Sequence, residues 1–218
     1  MAVIAQGRKT TYVLVHGAWH GGWCWCRVVP LLRWAGHEVF TPSLTGLGDR
    51  AHLSRPEINL DIHMRGRQIL VLGAGGAARG VLGPVLKHHP AKLVIANRTV
   101  SKAKELADQF REHGPVEACG YPELKGKHFD IVINATSASL KGEVPPLPET
   151  LFTRGALAYD MMYGDKPTAF LDWALLHGAD RAADGLGMLV EQAAESYFLW
   201  HGVRPDTRQV IAALRKGG

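Results

Sequence analysis

Gln68-Ile-Leu-Val-Leu72 leads directly into Gly73-Ala-Gly-Gly-Ala-Ala78, a strand pattern followed by a glycine-rich turn. The apolar run predicts a buried strand, and the helical pattern after the turn predicts a helix. A G-x-G-x-x-A turn between a strand and a helix is typical of dinucleotide-binding proteins. Gly73 permits the tight turn, Gly75 lets backbone N–H groups approach a pyrophosphate, and Ala78 lets the helix pack closely on the strand. A glycine-rich turn can also be merely structural, so a second signal is needed.

That second signal follows the next predicted strand, which ends at Asn97-Arg-Thr99, 24 residues after the first glycine of the turn. NAD-binding folds place an aspartate or glutamate there for the ribose diol, and this segment has neither. Arg98 offers a planar guanidinium that matches a 2′-phosphate, and Lys102 adds a positive charge one turn later. The alternative is that Arg98 is an ordinary surface residue and that Thr99 or Ser101 only caps a helix. Together with the glycine turn, the pattern favours NADP as the cofactor.

Strands and helices alternate along the chain from the glycine turn onward. We expect strands at residues 68–72, 92–96, 116–119, 130–134, 156–160 and 180–183, and helices after the turn and at residues 101–113, 168–177, 186–200 and 206–216. Such alternation implies parallel strands joined by right-handed crossovers. The predicted fold class is α/β: a Rossmann-like, doubly wound, mostly parallel sheet whose six strands are ordered 3-2-1-4-5-6.

The first 65 residues follow a different pattern. Two short strands, residues 11–15 and 37–41, flank a helix at residues 23–34, and four of the six tryptophans lie in this part of the chain. A β-α-β unit is not stable alone, so we expect it to pack at an edge of the sheet, giving about eight strands in all, or against a second copy of the chain. The predicted domains are residues 1–65 and 66–218, with a homodimer through a sheet edge as one arrangement.

Residues 66–218 resemble the NADP-binding domain of shikimate dehydrogenases. The segments that carry the resemblance are Gly73-Ala-Gly-Gly-Ala77, Asn97-Arg-Thr99, Asn134-Ala-Thr-Ser137, Asp160-Met-Met-Tyr163 and Asp184-Gly-Leu-Gly-Met-Leu-Val-Glu-Gln192. The resemblance implies that the adenosine end of NADP is held by the turn residues Gly73, Ala74, Gly75, Gly76 and Ala77 and by Asn97, Arg98, Thr99 and Lys102. It implies that the nicotinamide half lies beside Thr136, Met161 and Gly185, and that the substrate contacts Tyr163 and Gln192.

The family also implies a second, N-terminal domain that carries a catalytic lysine and aspartate. Those residues normally lie in a lysine-bearing loop and an Asn-Thr-Asp-Gly segment, and residues 1–65 contain neither pattern. Asn59-Leu-Asp61 weakly resembles the Asn-Thr-Asp-Gly segment, but it lies too close to the strand at residue 68 to leave room for the helix that the family has in this interval. Without a general acid and base, hydride transfer would lose about 10² to 10⁴ in rate. We therefore assign no catalytic residue.

Residues 1–64 are similar to the start of an α/β-hydrolase of the esterase or hydroxynitrile-lyase type. The similarity rests on Tyr12-Val-Leu-Val-His16-Gly-Ala-Trp-His20-Gly-Gly-Trp23 and on Pro42-Ser-Leu-Thr-Gly-Leu-Gly-Asp49. Such enzymes need a G-x-S-x-G nucleophile elbow on the next strand, and the sequence contains none. We expect no hydrolase turnover and interpret His16 and His20 as structural.

These patterns together predict an engineered chimera that binds NADP(H) and has no dehydrogenase or hydrolase turnover. Two alternatives stay open. The first is a functional NADP-dependent oxidoreductase similar to shikimate dehydrogenase. The second is a designed protein whose blocked crevice binds no ligand.

Composition excludes several other classes. The 218 residues carry a formal net charge of +5, but the basic residues are scattered, so nucleic acid is not an expected partner. No apolar run approaches the ~18 to 20 residues of a membrane span. The three cysteines (Cys24, Cys26 and Cys119) lack C-x-x-C spacing, and the eleven histidines lack a supporting acid cluster. We expect no metal site and a reducing, cytoplasmic location.

Overall fold

The computed structural model describes residues 10–14, 25–41 and 64–216. Several predicted features lie outside these ranges: His16, His20, Cys24, and the segments Pro42-Ser-Leu-Thr-Gly-Leu-Gly-Asp49 and Asn59-Leu-Asp61. The hydrolase-like positions are therefore not tested by the structure.

Eight strands occur in the described residues. They are β1 (Thr11–Val13), β2 (Glu38–Phe40), β3 (Gln68–Leu72), β4 (Lys92–Ala96), β5 (Val116–Cys119), β6 (Phe129–Asn134), β7 (Phe152–Asp160) and β8 (Arg181–Ala183). The bounds of β3, β4 and β5 are those predicted. Strand β7 starts four residues earlier than predicted, because its pairing with β6 continues past a register shift between Phe129 and Ile131. Gly155 accommodates this irregularity with a φ of 79°.

Six of the strands form one parallel sheet in the order β5-β4-β3-β6-β7-β8. This is the predicted 3-2-1-4-5-6 order, and the Rossmann-like α/β fold class is confirmed. The expected sheet of about eight strands is wrong for the described residues, because β1 and β2 pair with each other in a separate two-stranded parallel sheet. Strands β5 and β8 keep the outer positions, so β1 and β2 extend neither edge.

Six α-helices accompany these strands in the same described residues. They are α1 (Val29–Trp34), α2 (Gly76–Lys87), α3 (Val100–Phe110), α4 (Ala169–Leu176), α5 (Leu186–His201) and α6 (Thr207–Lys216). Helix α1 starts six residues later than predicted, with Pro30 in its first turn, where a missing N–H costs nothing. The predicted helix at residues 101–113 ends its α-helical part at Phe110 and continues as a 3₁₀ turn, Arg111–His113, before Gly114.

The core lies on both faces of the six-stranded sheet. On one face, Ile69 and Val71 of β3 pack in a cluster with residues of α2 and α3, such as Leu82 and Leu106. On the other, Leu70 and Leu72 belong to a cluster that includes Phe170 of α4. Strands buried on both faces read as continuous apolar runs, which explains the pattern of residues 68–72. No helix in the described part of the chain is long and apolar enough to cross a membrane.

Candidate cofactor-binding site

The predicted site residues lie together at the carboxyl ends of the parallel strands. The glycine turn follows β3, Asn97 follows β4, Ala135 follows β6 and Met161 follows β7. The chain runs from β3 outward to β5 and then returns to β6 on the opposite side of β3. In open α/β sheets the crevice at such a reversal is where ligands bind. The site is therefore built at the β3–β6 boundary.

The glycine turn has little room for a side chain at its first position and open space at its third. Gly73 has a φ of 102°, and a Cβ there would lie 2.9 Å from the carbonyl oxygen of Ala135. Gly75 is the extended N-cap residue of α2, and a Cβ there would meet nothing within 4 Å. The first turn of α2 holds no acidic residue. An open space at a helix N-terminus with free amide donors fits the pyrophosphate of a dinucleotide.

The other residues expected at the adenosine end lie in the first turn of α3 and in the turn after β4. Asn97 holds this turn because its side-chain Nδ2 donates to the carbonyl oxygen of Thr99 at 2.8 Å. Thr99 is the N-cap residue of α3, but its side chain makes no capping hydrogen bond. Arg98 and Lys102 are exposed. Burial raises the pKa of Tyr121 and the positive charge of Arg98 opposes that shift, which places the guanidinium near the start of the β5–β6 connection.

Neither Arg98 nor Lys102 forms an ion pair with any acid in the described residues. The first turn of α3 also lacks an acidic side chain. Both cations are therefore available to a 2′-phosphate on the ribose, because no acid in the described residues pairs with either of them. The residues present fit a phosphorylated dinucleotide, as their types and spacing predicted.

The three residues expected beside the nicotinamide half are connected through hydrogen bonds to Asn134 and through a close backbone approach. Thr136 donates both its N–H, at 3.1 Å, and its hydroxyl, at 2.7 Å, to Oδ1 of Asn134. The N–H of Met161 donates to the carbonyl oxygen of Asn134 at 3.0 Å. A Cβ at Gly185 would lie 2.2 Å from the carbonyl oxygen of Met161. The turns after β6, β7 and β8 thus form one continuous wall.

Asp160 is a site residue that the sequence analysis quoted in a motif but did not assign. It ends β7, has no exposed surface, and accepts hydrogen bonds from four donors around it. The signal in the sequence was an acid at the end of the apolar run predicted as a strand at residues 156–160. A buried carboxylate of this kind needs partners, and the sequence did not identify them.

The two predicted substrate residues lie on the elements that border this wall. Tyr163 follows β7 by three residues and its side chain is 46% exposed. Gln192 lies in the second turn of α5, where its backbone carbonyl accepts from the Ser196 hydroxyl at 2.9 Å. Contact of Tyr163 and Gln192 with a substrate stays a prediction.

The order of the strands, the glycine turn and the unpaired cations define a Rossmann-type dinucleotide-binding domain. The family described as shikimate / quinate 5-dehydrogenase matches residues 56–142, and the C-terminal domain of shikimate 5′-dehydrogenase matches residues 185–215. The Rossmann domain of this chain is thus similar to the NADP-binding domain of shikimate dehydrogenases.

Individual relatives agree with that assignment. The chain is 61% identical over 158 residues to a shikimate dehydrogenase (NADP(+)) of Cellvibrio japonicus, in an alignment that covers 72% of this chain and 57% of the relative. It is 58% identical over 186 residues to the corresponding protein of Chromohalobacter salexigens, covering 85% of this chain and 66% of the relative. The chain therefore spans little more than half the length of several curated relatives.

Solved structures give the same result. An Ael1 enzyme from Pseudomonas putida is 51% identical, with a TM-score of 0.67 over 72% of this chain and 57% of that one. A shikimate dehydrogenase in complex with NADP⁺ is 30% identical, with a TM-score of 0.58 over 70% of this chain and 55% of that one.

These relatives contradict the prediction of an engineered chimera without turnover. The chain is 61% and 57% identical to two natural bacterial shikimate dehydrogenases, and nothing in the comparisons supports an α/β-hydrolase segment or a chimera. The family match begins at residue 56, before the predicted join. The alignment with the Chromohalobacter protein covers more of the chain than residues 66–218 contain. The predicted domain boundary at residue 65 stays a prediction.

Proposed function

We propose that this chain binds NADP(H) in the crevice between β3 and β6 and serves the hydride transfer of an NADP-dependent shikimate dehydrogenase. The observation that carries the proposal is the pair of unpaired cations, Arg98 and Lys102, beside a glycine turn with open space at Gly75. Relatives named shikimate dehydrogenase (NADP(+)) at 57–61% identity support the same cofactor and reaction.

Each end of the dinucleotide has its own set of residues in this proposal. Gly73, Ala74, Gly75, Gly76 and Ala77 offer backbone donors and space to the pyrophosphate. Asn97 and Thr99 shape the turn from which Arg98 and Lys102 reach the 2′-phosphate. Thr136, Met161 and Gly185 form the wall for the nicotinamide ring. When bound, NADP⁺ supplies the hydride acceptor at that ring.

The substrate side of the proposal rests on Tyr163 and Gln192. Both carry groups that donate and accept hydrogen bonds, which suits a polyhydroxylated acid such as shikimate. Oxidation of a secondary alcohol releases a proton together with the hydride. We assign no described residue to that proton.

Two measurements test the proposal in order. Calorimetric titration with NADP⁺ and NAD⁺ should give at least tenfold tighter binding of NADP⁺. The absorbance of reduced nicotinamide should then rise when shikimate and NADP⁺ are both present, and not when either is omitted. A folded sample that ignores NADP(H) at millimolar concentration would overturn the cofactor assignment. Tight binding without any turnover would restrict the proposal to cofactor binding. The predicted cytoplasmic location and sheet-edge dimer remain predictions.

A further inference from the structure

Asp160 is a fully buried carboxylate at the carboxyl end of β7. Its Oδ2 accepts from the hydroxyl of Ser139 at 2.6 Å, from the hydroxyl of Thr168 at 2.6 Å and from Nδ2 of Asn134 at 3.2 Å. Its Oδ1 accepts from the backbone N–H of Met162 at 3.0 Å. We call these five residues the Asp160 network. An ionised carboxylate has acceptor sites for all four donors, so the buried charge is fully hydrogen-bonded.

The donors of the Asp160 network come from three different parts of the site. Asn134 ends β6, and its Oδ1 holds both the N–H and the hydroxyl of Thr136. Ser139 lies in the 3₁₀ turn Ala138–Lys141 that follows Thr136. Thr168 is the N-cap residue of α4, and its hydroxyl accepts from the N–H of Leu171 at 3.4 Å. One carboxylate therefore connects the β6–β7 turn to the start of α4.

The network also reaches the turn after β8. Met162 gives its N–H to Asp160, and its carbonyl oxygen accepts from the N–H of Gly185 at 3.0 Å. Thr136, Met161 and Gly185, the three wall residues, are thus each one hydrogen-bonded step or one peptide bond away from the network. Within the described residues, no hydrogen bond of the network leads to an adenosine-end residue.

We propose that Asp160 is a positioning residue for the nicotinamide half of the cofactor. It holds Thr136, through Asn134, and Met161, through the neighbouring peptide, in one fixed arrangement. This inference rests on the proposed function, since it assumes that NADP(H) occupies the crevice. It predicts that loss of the carboxylate weakens the binding of the nicotinamide half of the cofactor and leaves the binding of the adenosine half unchanged.

Asp160→Asn is the sharpest single change. Three groups donate to Oδ2 and a fourth donates to Oδ1. The asparagine amide has the same shape, but in either of its two orientations its NH₂ group, itself a donor, faces at least one of these donors. The affinity for NADPH should fall at least tenfold. The affinity for 2′,5′-ADP, which carries the 2′-phosphate and adenosine but no nicotinamide, should stay within twofold of the unchanged chain. The emission of bound NADPH should shift toward that of free NADPH.

Asp130→Asn is the matched control. Asp130 lies near the amino end of β6, at the opposite end of the strand from Asn134. There it accepts from the N–H of Gln68 at 2.8 Å and from the hydroxyl of Thr153 at 3.1 Å. The same carboxylate-to-amide change there disturbs hydrogen bonds between strands but not the wall. Both ligands should bind this variant as they bind the unchanged chain.

The outcomes separate the two proposals. Equal losses for NADPH and 2′,5′-ADP in Asp160→Asn, or no loss for either, would overturn the positioning role while the cofactor assignment stands. If Asp160→Asn does not fold, Ser139→Ala and Thr168→Val each remove one hydroxyl donor and keep the acid. Each should lower NADPH affinity about threefold or more without changing 2′,5′-ADP affinity, and unchanged NADPH affinity in both would overturn the role. An unchanged chain that binds neither ligand would overturn the proposed function, and this inference with it.

Discussion

Single residues at the crevice are specialised by their surroundings. Gly73 occupies a left-handed backbone conformation against the carbonyl of Ala135, so its lack of a side chain is a steric requirement. Arg98 is exposed and unpaired within the described residues, so it is available to an anionic ligand. Gly73 therefore requires the absence of a side chain, whereas Arg98 requires the absence of a competing negative charge.

Arg98→Asp should lower NADP⁺ affinity about 10- to 100-fold, because charge-assisted hydrogen bonds to a phosphate contribute roughly 1.5 to 3 kcal/mol. NAD⁺ affinity should change less than threefold, since NAD⁺ has no 2′-phosphate. Fluorescence titration with both cofactors measures the ratio. Lys104→Asp, which makes the same kind of charge reversal at an exposed position further along α3, is the control for long-range electrostatics. Equal losses for the two cofactors would refute the assigned contact.

At the scale of elements, helix ends carry much of the site. Helix α2 presents its N-terminus at the glycine turn, and α5 begins directly after Gly185. Helix α6 is tied back to that second turn because Arg215 Nη1 donates to Oδ2 of Asp184 at 2.7 Å, and its Nη2 donates to Oδ1. Oδ1 of Asp184 also accepts from the N–H of Leu186 at 3.2 Å, which caps the start of α5.

Gly75→Val tests the N-terminus of α2. The backbone of this residue is extended, and a Cβ there would meet nothing within 4 Å, so the melting temperature should fall only by the small cost of replacing a favoured N-cap glycine. NADPH affinity should nevertheless fall at least tenfold, since the side chain occupies the proposed pyrophosphate position. Gly83→Ala, within the same helix and in ordinary contact with Phe110, should leave the affinity unchanged. Normal NADPH binding by Gly75→Val would argue against this location of the phosphates.

Arg215→Met tests the tie between α6 and the turn before α5. The Asp184 side chain is 6% exposed, so loss of its partner should lower the free energy of unfolding by about 1 to 2 kcal/mol. Arg208→Met is the matched control, because its pair with Asp206 is largely exposed and such pairs contribute about 0 to 1 kcal/mol. Urea denaturation measures both. Equal losses of unfolding free energy in the two variants would show that burial of Asp184 does not make the Arg215 pair more stabilising than an exposed pair.

At the scale of the whole molecule, the partly buried phenol of Tyr159 makes stability depend on alkaline pH. Burial, and then the negative charges of Asp184 and Asp160, raise the pKa of Tyr159 above its ordinary value of 10. The unfolded chain therefore loses this proton at a lower pH than the folded chain does. The stability that the neutral phenol contributes is complete below pH 10 and declines as the pH rises from 10 toward the folded pKa.

Tyr159→Phe should remove this part of the pH dependence. Between pH 10 and 11, the unchanged chain should lose up to about 1.4 kcal/mol more unfolding free energy than the variant does. Urea denaturation of both proteins at pH 8, 10 and 11 gives the comparison. Tyr197→Phe, at a side chain that is 47% exposed, serves as the control and should follow the unchanged chain. Parallel curves for Tyr159→Phe and the unchanged chain would contradict the assignment.

The sequence by itself determined the strands and their order, the glycine turn and the preference for a 2′-phosphorylated cofactor. These follow from local rules: apolar runs form strands buried on both faces, glycine-rich turns precede helices, and a guanidinium replaces the expected acid after β4. Residue patterns did not identify the partners of β1 and β2, because short strands with few buried residues carry little pairing information.

Only the tertiary structure decided that β1 and β2 pair with each other outside the six-stranded sheet. It also decided that Asp160 meets Asn134, Ser139 and Thr168. Those donors lie between 8 and 26 residues away along the chain, and no local periodicity connects positions so separated. A buried charge takes its role from the groups that folding brings around it, and those contacts exist only once the strands and turns are assembled.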